Sequence, residues 1–202
     1  MKAEMLEINC LTNYFLIAMP MLIDPYFNRA VIYICEHNEK GAVGIVVNQP
    51  LASLKINFSE LLQVVPKDDR SVAASASPLG GNYSFPILCG GPVHPERGFV
   101  IHPPGGVWES TLKMNSEISV TTSKDILQAI STQSGPTQFI FSLGYANWVA
   151  GQLEQEIISN LWLMVPASPT ILFEVPYSER WSQALGILGV DYGKLVYSGG
   201  HA

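Results

Sequence analysis

Apolar, mostly β-branched residues dominate three early stretches, Tyr14 to Met19, Ala30 to Cys35 and Ala42 to Val47, and polar turn-formers separate them. Runs of this length, bounded by Asp24-Pro25 and Asn38-Glu39-Lys40-Gly41, predict three successive strands. The last two are expected to form a hairpin, because Gly41 can take the positive φ needed where His37 to Lys40 reverse the chain. Asn57-Phe58-Ser59-Glu60 has the pattern of a capping box and predicts a short helix from Ser59 to Val65, ended by Pro66. From 66 to 84 the residues are small and polar, too poor in apolar area to order firmly, and a mobile loop is expected.

Further along, Phe85 to Cys89 and Gly98 to Ile101 read as strands flanking a rigid corner, Gly90-Gly91-Pro92-Val93-His94-Pro95, with a loop at Pro103 to Val107. Ile118 to Thr121 is a strand pattern. Thr122 is placed to cap a helix whose Ile126, Leu127 and Ile130 share one face until Gly135-Pro136. Thr137 to Leu143 alternates as a strand and leads into Gly144-Tyr145-Ala146-Asn147-Trp148. From near Val149, Leu153, Ile157 and Leu161 form a helical stripe, with Gln152, Gln155, Glu156 and Ser159 opposite. Ile171 to Val175 predicts a strand. A last helix is expected from Ser178, burying Trp181, Ala184, Leu185 and Leu188 and closing on Gly189. Bounded strands mixed with capped helices, without repeats or a shift in composition, predict one α+β domain spanning residues 1–202.

Composition narrows the function classes. The 202 residues are 48% apolar and only 14% charged, and a chain of this size buries about 70% of its unfolded surface, so the core holds without staples. Low charge favours protein partners or a homo-oligomer. A net charge of −6, with 11 Lys+Arg spread thinly, supplies no footprint for phosphates, so direct nucleic-acid binding is not expected. Cys10, Cys35 and Cys89 are odd in number and in no ligand spacing, which predicts reduced thiols and a cytoplasmic location. The start of the chain carries Glu4 and Glu7, and the apolar run Tyr14 to Ile23 is short and broken by Pro20, so neither export nor a membrane span is expected. No cofactor and no metal is predicted.

LTNYFLIAMP, EHNEKGAVGIVVNQP, CGGPVHPERGFVIH, LGYANWVAGQLEQEIISNLWLMVP and the closing RW, LG and GGHA resemble, in order and over nearly the whole chain, the YqgE/AlgH family of bacterial proteins. The resemblance is weakest over residues 66 to 84. It implies an α+β fold with mixed and antiparallel sheets curled into a pseudo-barrel with flanking helices. It also implies a regulatory role, since members have been described as regulators of alginate production. The family pattern favours GYAGWGAGQLE, where this chain has Asn147 and Val149, and an aliphatic or aromatic residue before GGPV, where it has Cys89.

Several residues could carry chemistry. Gly90 and Gly91 in the GGPV turn could offer backbone amides to an anion, or form only a tight corner; no P-loop Lys-Ser/Thr follows. Arg97 nearby could hold a carboxylate or phosphate, or pair with Glu96 or Glu109. His37, His94 and His102 could converge as a metal or acid–base cluster, or each be a hydrogen-bonded turn residue. Cys35, inside a strand, is expected to behave as a small hydrophobe. Tyr145, Asn147, Trp148, Gln152, Glu154 and Glu156 cluster around the expected helix start. They could form a pocket for a small polar or anionic ligand, with Trp148 as a stacking wall, or an N-cap with a packed Trp. A non-catalytic ligand- or protein-binding module with an indirect role in transcription regulation therefore ranks first. An interaction or homo-oligomeric protein ranks second. A hydrolase or transferase using His37, Arg97, His102 or Glu154 at the GGPV turn ranks third, with no GxSxG elbow in its favour.

Overall fold

The β-branched runs form the strands they predict. The structure, a computed structural model, describes residues 10–51 and 85–189; the helix expected at 59–65 and the loop expected at 66–84 lie outside the described residues. The strands are β1 (Tyr14–Ala18), β2 (Val31–Asn38), β3 (Gly41–Val46), β4 (Ile87–Cys89), β5 (Val93–His102), β6 (Thr111–Lys113), β7 (Ser119–Thr121), β8 (Ile140–Val149) and β9 (Trp162–Pro166). Four described helices join them: α1 (Asp125–Ser131), α2 (Gln152–Ile158), α3 (Pro169–Phe173) and α4 (Arg180–Ile187). None is long and apolar enough to cross a membrane.

Neighbours in the sheet follow the order β6-β7-β5-β8-β3-β2-β1-β9, all antiparallel, and β4 lies off this path, parallel to β8. The sheet curls strongly into a half-barrel, making an α+β domain. Asn13 spans the mouth of the curl: it accepts from the Tyr33 hydroxyl at 2.7 Å and donates to the Met114 carbonyl at 3.1 Å. The start of β1 is thereby tied to the β6–β7 turn.

Apolar side chains fill both faces. The inner face packs Phe15, Val31, Tyr33, Ile45 and Ile101 against Ile171 and Leu172 of α3 and Trp181 and Leu185 of α4. On the outer face, α1 covers Ile87, Val100 and Phe141, while Leu153 of α2 joins Leu16, Ile32, Trp148 and Trp162.

β8 changes phase along its length. Before Gly144, Phe141 and Leu143 pack outward under α1; after it, Tyr145 packs inward while Ala146 and Trp148 pack outward under α2. A strict two-residue period cannot do this. Gly144 absorbs the slip at φ 75, and the partner strand shifts register between Val93 and Gly98.

The structure corrects several expectations. Thr122 does not cap α1: its amide donates to the Ser110 carbonyl, Lys124 is the cap residue, and Asp125 Oδ1 accepts from Ser123 Oγ and the Ile126 amide. No helix begins near Val149, because Gly41, Ala42, Val43 and Gly44 of β3 pair with Ala146 to Val149 and hold them as strand; the chain turns at Gly151, φ 78, before α2. Ile171 to Val175 is not a strand. Ser168 accepts from the Ile171 amide and Pro169 occupies the first helical turn, so α3 forms there. The strand of this region is β9. The last helix starts at Arg180 rather than Ser178, and Leu188 is exposed, while Gly189 follows its C-cap at φ 67.

Candidate functional site

The glycine corner is backbone packed on backbone. The Gly90 amide donates to the Leu143 carbonyl at 2.7 Å, and its own carbonyl accepts from the Val46 amide at 2.9 Å. A Cβ on Gly90 would lie 2.2 Å from the Gly144 carbonyl oxygen, and one on Gly144 would lie 2.5 Å from that of Gly91. These glycines let the end of β4 lie against β8 at the phase slip. The Gly90 amide, already bonded to Leu143, has no proton left for an anion.

The slip sorts the polar candidates onto two faces. On the outer face, the Leu11 amide donates to His37 Nδ1 at 3.0 Å, so the ring proton sits on Nε2 and is donated to Glu154 Oε1 at 2.8 Å. Both imidazole nitrogens are occupied, which leaves no lone pair for a general base. Beside it, Glu156 Oε2 accepts from the indoles of Trp148 at 2.9 Å and Trp162 at 2.8 Å. Its Oε1 accepts from Gln152 Nε2 at 2.9 Å, and Gln152 Oε1 accepts from the Val149 amide. Glu156, expected on the solvent side of its helix, faces inward and staples α2 to β8 and β9. Trp148 is only 4% exposed and cannot wall an open pocket.

Tyr145, Asn147 and Val149 point to the inner face, together with Val43 of β3 and, on β2, Glu36 opposite Val43 and Asn38 opposite Gly41. Cys35 sits in the bulge beside Glu36 and packs against the inner core, and burial pushes its thiol up to about 12. The thiol therefore stays protonated at neutral pH. His94 stacks on Tyr145 with ring centroids 5.9 Å apart, Phe99 meets Tyr145 edge-on at 5.8 Å, and the Arg97 guanidinium lies 5.7 Å over Phe99. Glu96 bonds His94 at 3.0 Å, so Arg97 pairs with neither Glu96 nor Glu109 among the described residues. Asn147 is exposed and makes no side-chain hydrogen bond among the described residues, and Val149 is 64% exposed. No described helix covers this strip.

His102 joins neither group. Its Nδ1 donates to the Pro103 carbonyl and its Nε2 accepts from the Thr121 hydroxyl, each at 2.8 Å, and Thr121 lies 2.8 Å from Thr111 Oγ1. Among the described residues, no group of three or more His, Cys, Asp or Glu side chains is placed to hold a metal ion. Burial lowers the pKa of His102 below its ordinary 6.5, with the Pro103 bond opposing. The unfolded chain therefore binds a proton that the native one refuses as pH falls through about 6.5, and stability contributed above that pH is lost. Urea unfolding at pH values from 7 down to 5 is expected to show this loss, with a shallower slope in His102→Asn.

Trp108, which sequence reasoning did not single out, meets His102 edge-on at 4.9 Å and lines an open groove of about 330 Å³ with Pro103 to Gly106 and Ser134 to Gln138. Its signal was the Pro103-Pro104-Gly105-Gly106 loop, a long glycine-proline break beside an aromatic. No charged group among the described residues lines the groove.

The sequence profile of AlgH-like proteins matches residues 15–193. The chain belongs to the AlgH-like family. It is 47% identical over 195 residues to a UPF0301 protein of Idiomarina loihiensis, covering 96% of this chain and 100% of the relative. A UPF0301 protein of Vibrio parahaemolyticus is 42% identical, covering 95% and 99% respectively. The solution structure of the AlgH protein from Pseudomonas aeruginosa superposes with a TM-score of 0.74 at 44% identity, over 96% of this chain and 97% of that one. A crystal structure from Corynebacterium diphtheriae, at 20% identity and a TM-score of 0.66 over 93% and 91%, shares the family fold.

Proposed function

We propose that this protein is a non-catalytic cytoplasmic binding module whose inner-face strip takes a small polar or anionic ligand and whose regulatory role is indirect. One observation carries the reading: on the outer face His37 is bonded to Glu154 and Gln152 to Glu156, whereas Tyr145, Asn147, His94 and Arg97 present stacking, amide and cationic groups on a sheet face that no described helix covers. An aromatic wall with a few convergent polar groups suits a small ligand. The regulatory part follows from similarity to family members described as regulators of alginate production. Seventeen acids against 11 bases, 17 Asp+Glu to 11 Lys+Arg, make any effect on transcription indirect. Three free cysteines fit a reducing compartment.

Amide-resolved NMR with a library of small carboxylates and amides tests this. Shifts are expected to cluster on Glu36, Val43, Tyr145 and Asn147. Hits that cluster elsewhere overturn the reading. Concentration-dependent broadening confined to Met21, Ile23 and Tyr26, the exposed apolar side chains of the β1–β2 loop, would favour self-association instead.

A further inference from the structure

We infer that the groove beside Trp108 is a second binding site and that it takes a neutral mono- or disaccharide. The chain has four tryptophans. Three spend their indole N–H within the protein, Trp148 and Trp162 on Glu156 and Trp181 on the Ala18 carbonyl at 2.9 Å. The Trp108 N–H finds no acceptor among the described residues. Because no buried side-chain nitrogen or oxygen of the described residues lacks a partner, this donor is open to solvent. Its place is beside Gly106, which lines the groove: a Cβ added there would stand 2.5 Å from Trp108 Cζ2 and 3.2 Å from Cε2, the carbon bonded to the indole nitrogen.

Both walls of the groove hang on α1. Before the helix, the Glu109 amide donates to Asp125 Oδ2 at 2.8 Å and the Ser110 amide to Ser123 Oγ at 3.0 Å, while the indole packs on the cluster of Ile126 and Phe141. After it, the Ser134 and Gly135 amides both donate to the Ala129 carbonyl at 2.9 Å. A site fixed in this way before binding loses little entropy when it is filled.

The lining selects the ligand. Its volume of about 330 Å³ is at the small end of ligand sites, which run from about 300 to 1,000 Å³. With no charged group among the described residues in the lining, neither an anion nor a cation finds a counter-charge. Pro103, Pro104 and Pro136 add apolar surface for the C–H face of a sugar ring. Exposed Thr137 and Gln138 make no side-chain hydrogen bond among the described residues, and each can donate and accept. Sugar hydroxyls do both as well. An aliphatic ligand would cover the Trp108 N–H and leave it without an acceptor. A proline-rich peptide offers carbonyls to the indole but few N–H groups to the Gln138 carbonyl.

NMR titration of the full-length protein with glucose, galactose, N-acetylglucosamine, maltose and cellobiose, against glycerol at equal mass concentration, tests this through the Trp108 Nε1–Hε1 signal. At least one sugar is expected to give a saturable shift there and on the Thr137 and Gln138 amides, while the other three indole signals stay fixed. Trp108→Phe keeps a ring but removes the donor, and Gln138→Ala removes an exposed amide; each should weaken binding about tenfold. Should Trp108→Phe not fold, Gln138→Ala, read on the indole signal, decides. Shifts no larger than those with glycerol for every sugar, or an affinity that both variants leave unchanged, overturn the proposal. So does a proline-rich peptide that moves these signals where the sugars do not. The reporters lie beside α1, apart from Glu36, Val43, Tyr145 and Asn147, so failure here is distinct from failure of the inner-face reading.

Discussion

Gly91→Ala is expected to cost more than about 4 kcal/mol of stability and to leave little folded protein. Gly91 has φ 148, and a Cβ there would stand 2.3 Å from the Tyr145 carbonyl carbon and 2.4 Å from its oxygen. Neither side can retreat, because Gly90 is bonded to both Leu143 and Val46, and β8 is paired on both edges at this level. Gly151→Ala is the control. Gly151 also has positive φ, 78, but nothing lies within 4 Å of its added Cβ. It should cost only the left-handed backbone, about 1–2 kcal/mol. Urea unfolding of the two variants separates steric clash from backbone strain, and equal losses would contradict the packing described.

Glu156→Ala is expected to destabilise by about 3 kcal/mol, because the Trp148 and Trp162 indole N–H groups lose their shared acceptor in a packed interface. That corresponds to a fall in melting temperature of roughly 6–12 °C for a chain of this size. Glu156→Gln keeps one acceptor oxygen and should lose less. If Glu156→Ala melts with the wild type, the carboxylate is not a staple and would return as a candidate for ligand contact.

Much of the sheet is legible in the sequence. β1, β2 and β3 stand out because β-branched runs end at turn residues that local chemistry can read. β9 does not, because Trp162 to Pro166 follows directly on the Leu153, Ile157 and Leu161 stripe with no turn residue to mark where helix gives way to strand. Ile171 to Val175 mimics a strand in composition, and only the Ser168-Pro169 pair reveals a helix start. The deeper loss concerns sidedness. Tyr145, Asn147, Trp148, Gln152 and Glu156 were legible as an unusual cluster, but Gly144 decides which of the first three face in and which face out. Its positive φ answers to Gly91, distant in sequence and close only in the fold.

The division of one cluster between two faces is the central claim, and the fragment titration repeated on Tyr145→Ala and Asn147→Ala tests it most directly. Asn147→Ala should unfold within about 1 kcal/mol of the wild type, as substitutions at an exposed position do, whereas Tyr145→Ala also loses its packing on Phe99 and His94 and should cost more; both should lose the shifts on Glu36 and Val43. Variants that bind fragments as the wild type does, or fragment shifts that gather on His37, Glu154 and Gln152, would contradict it.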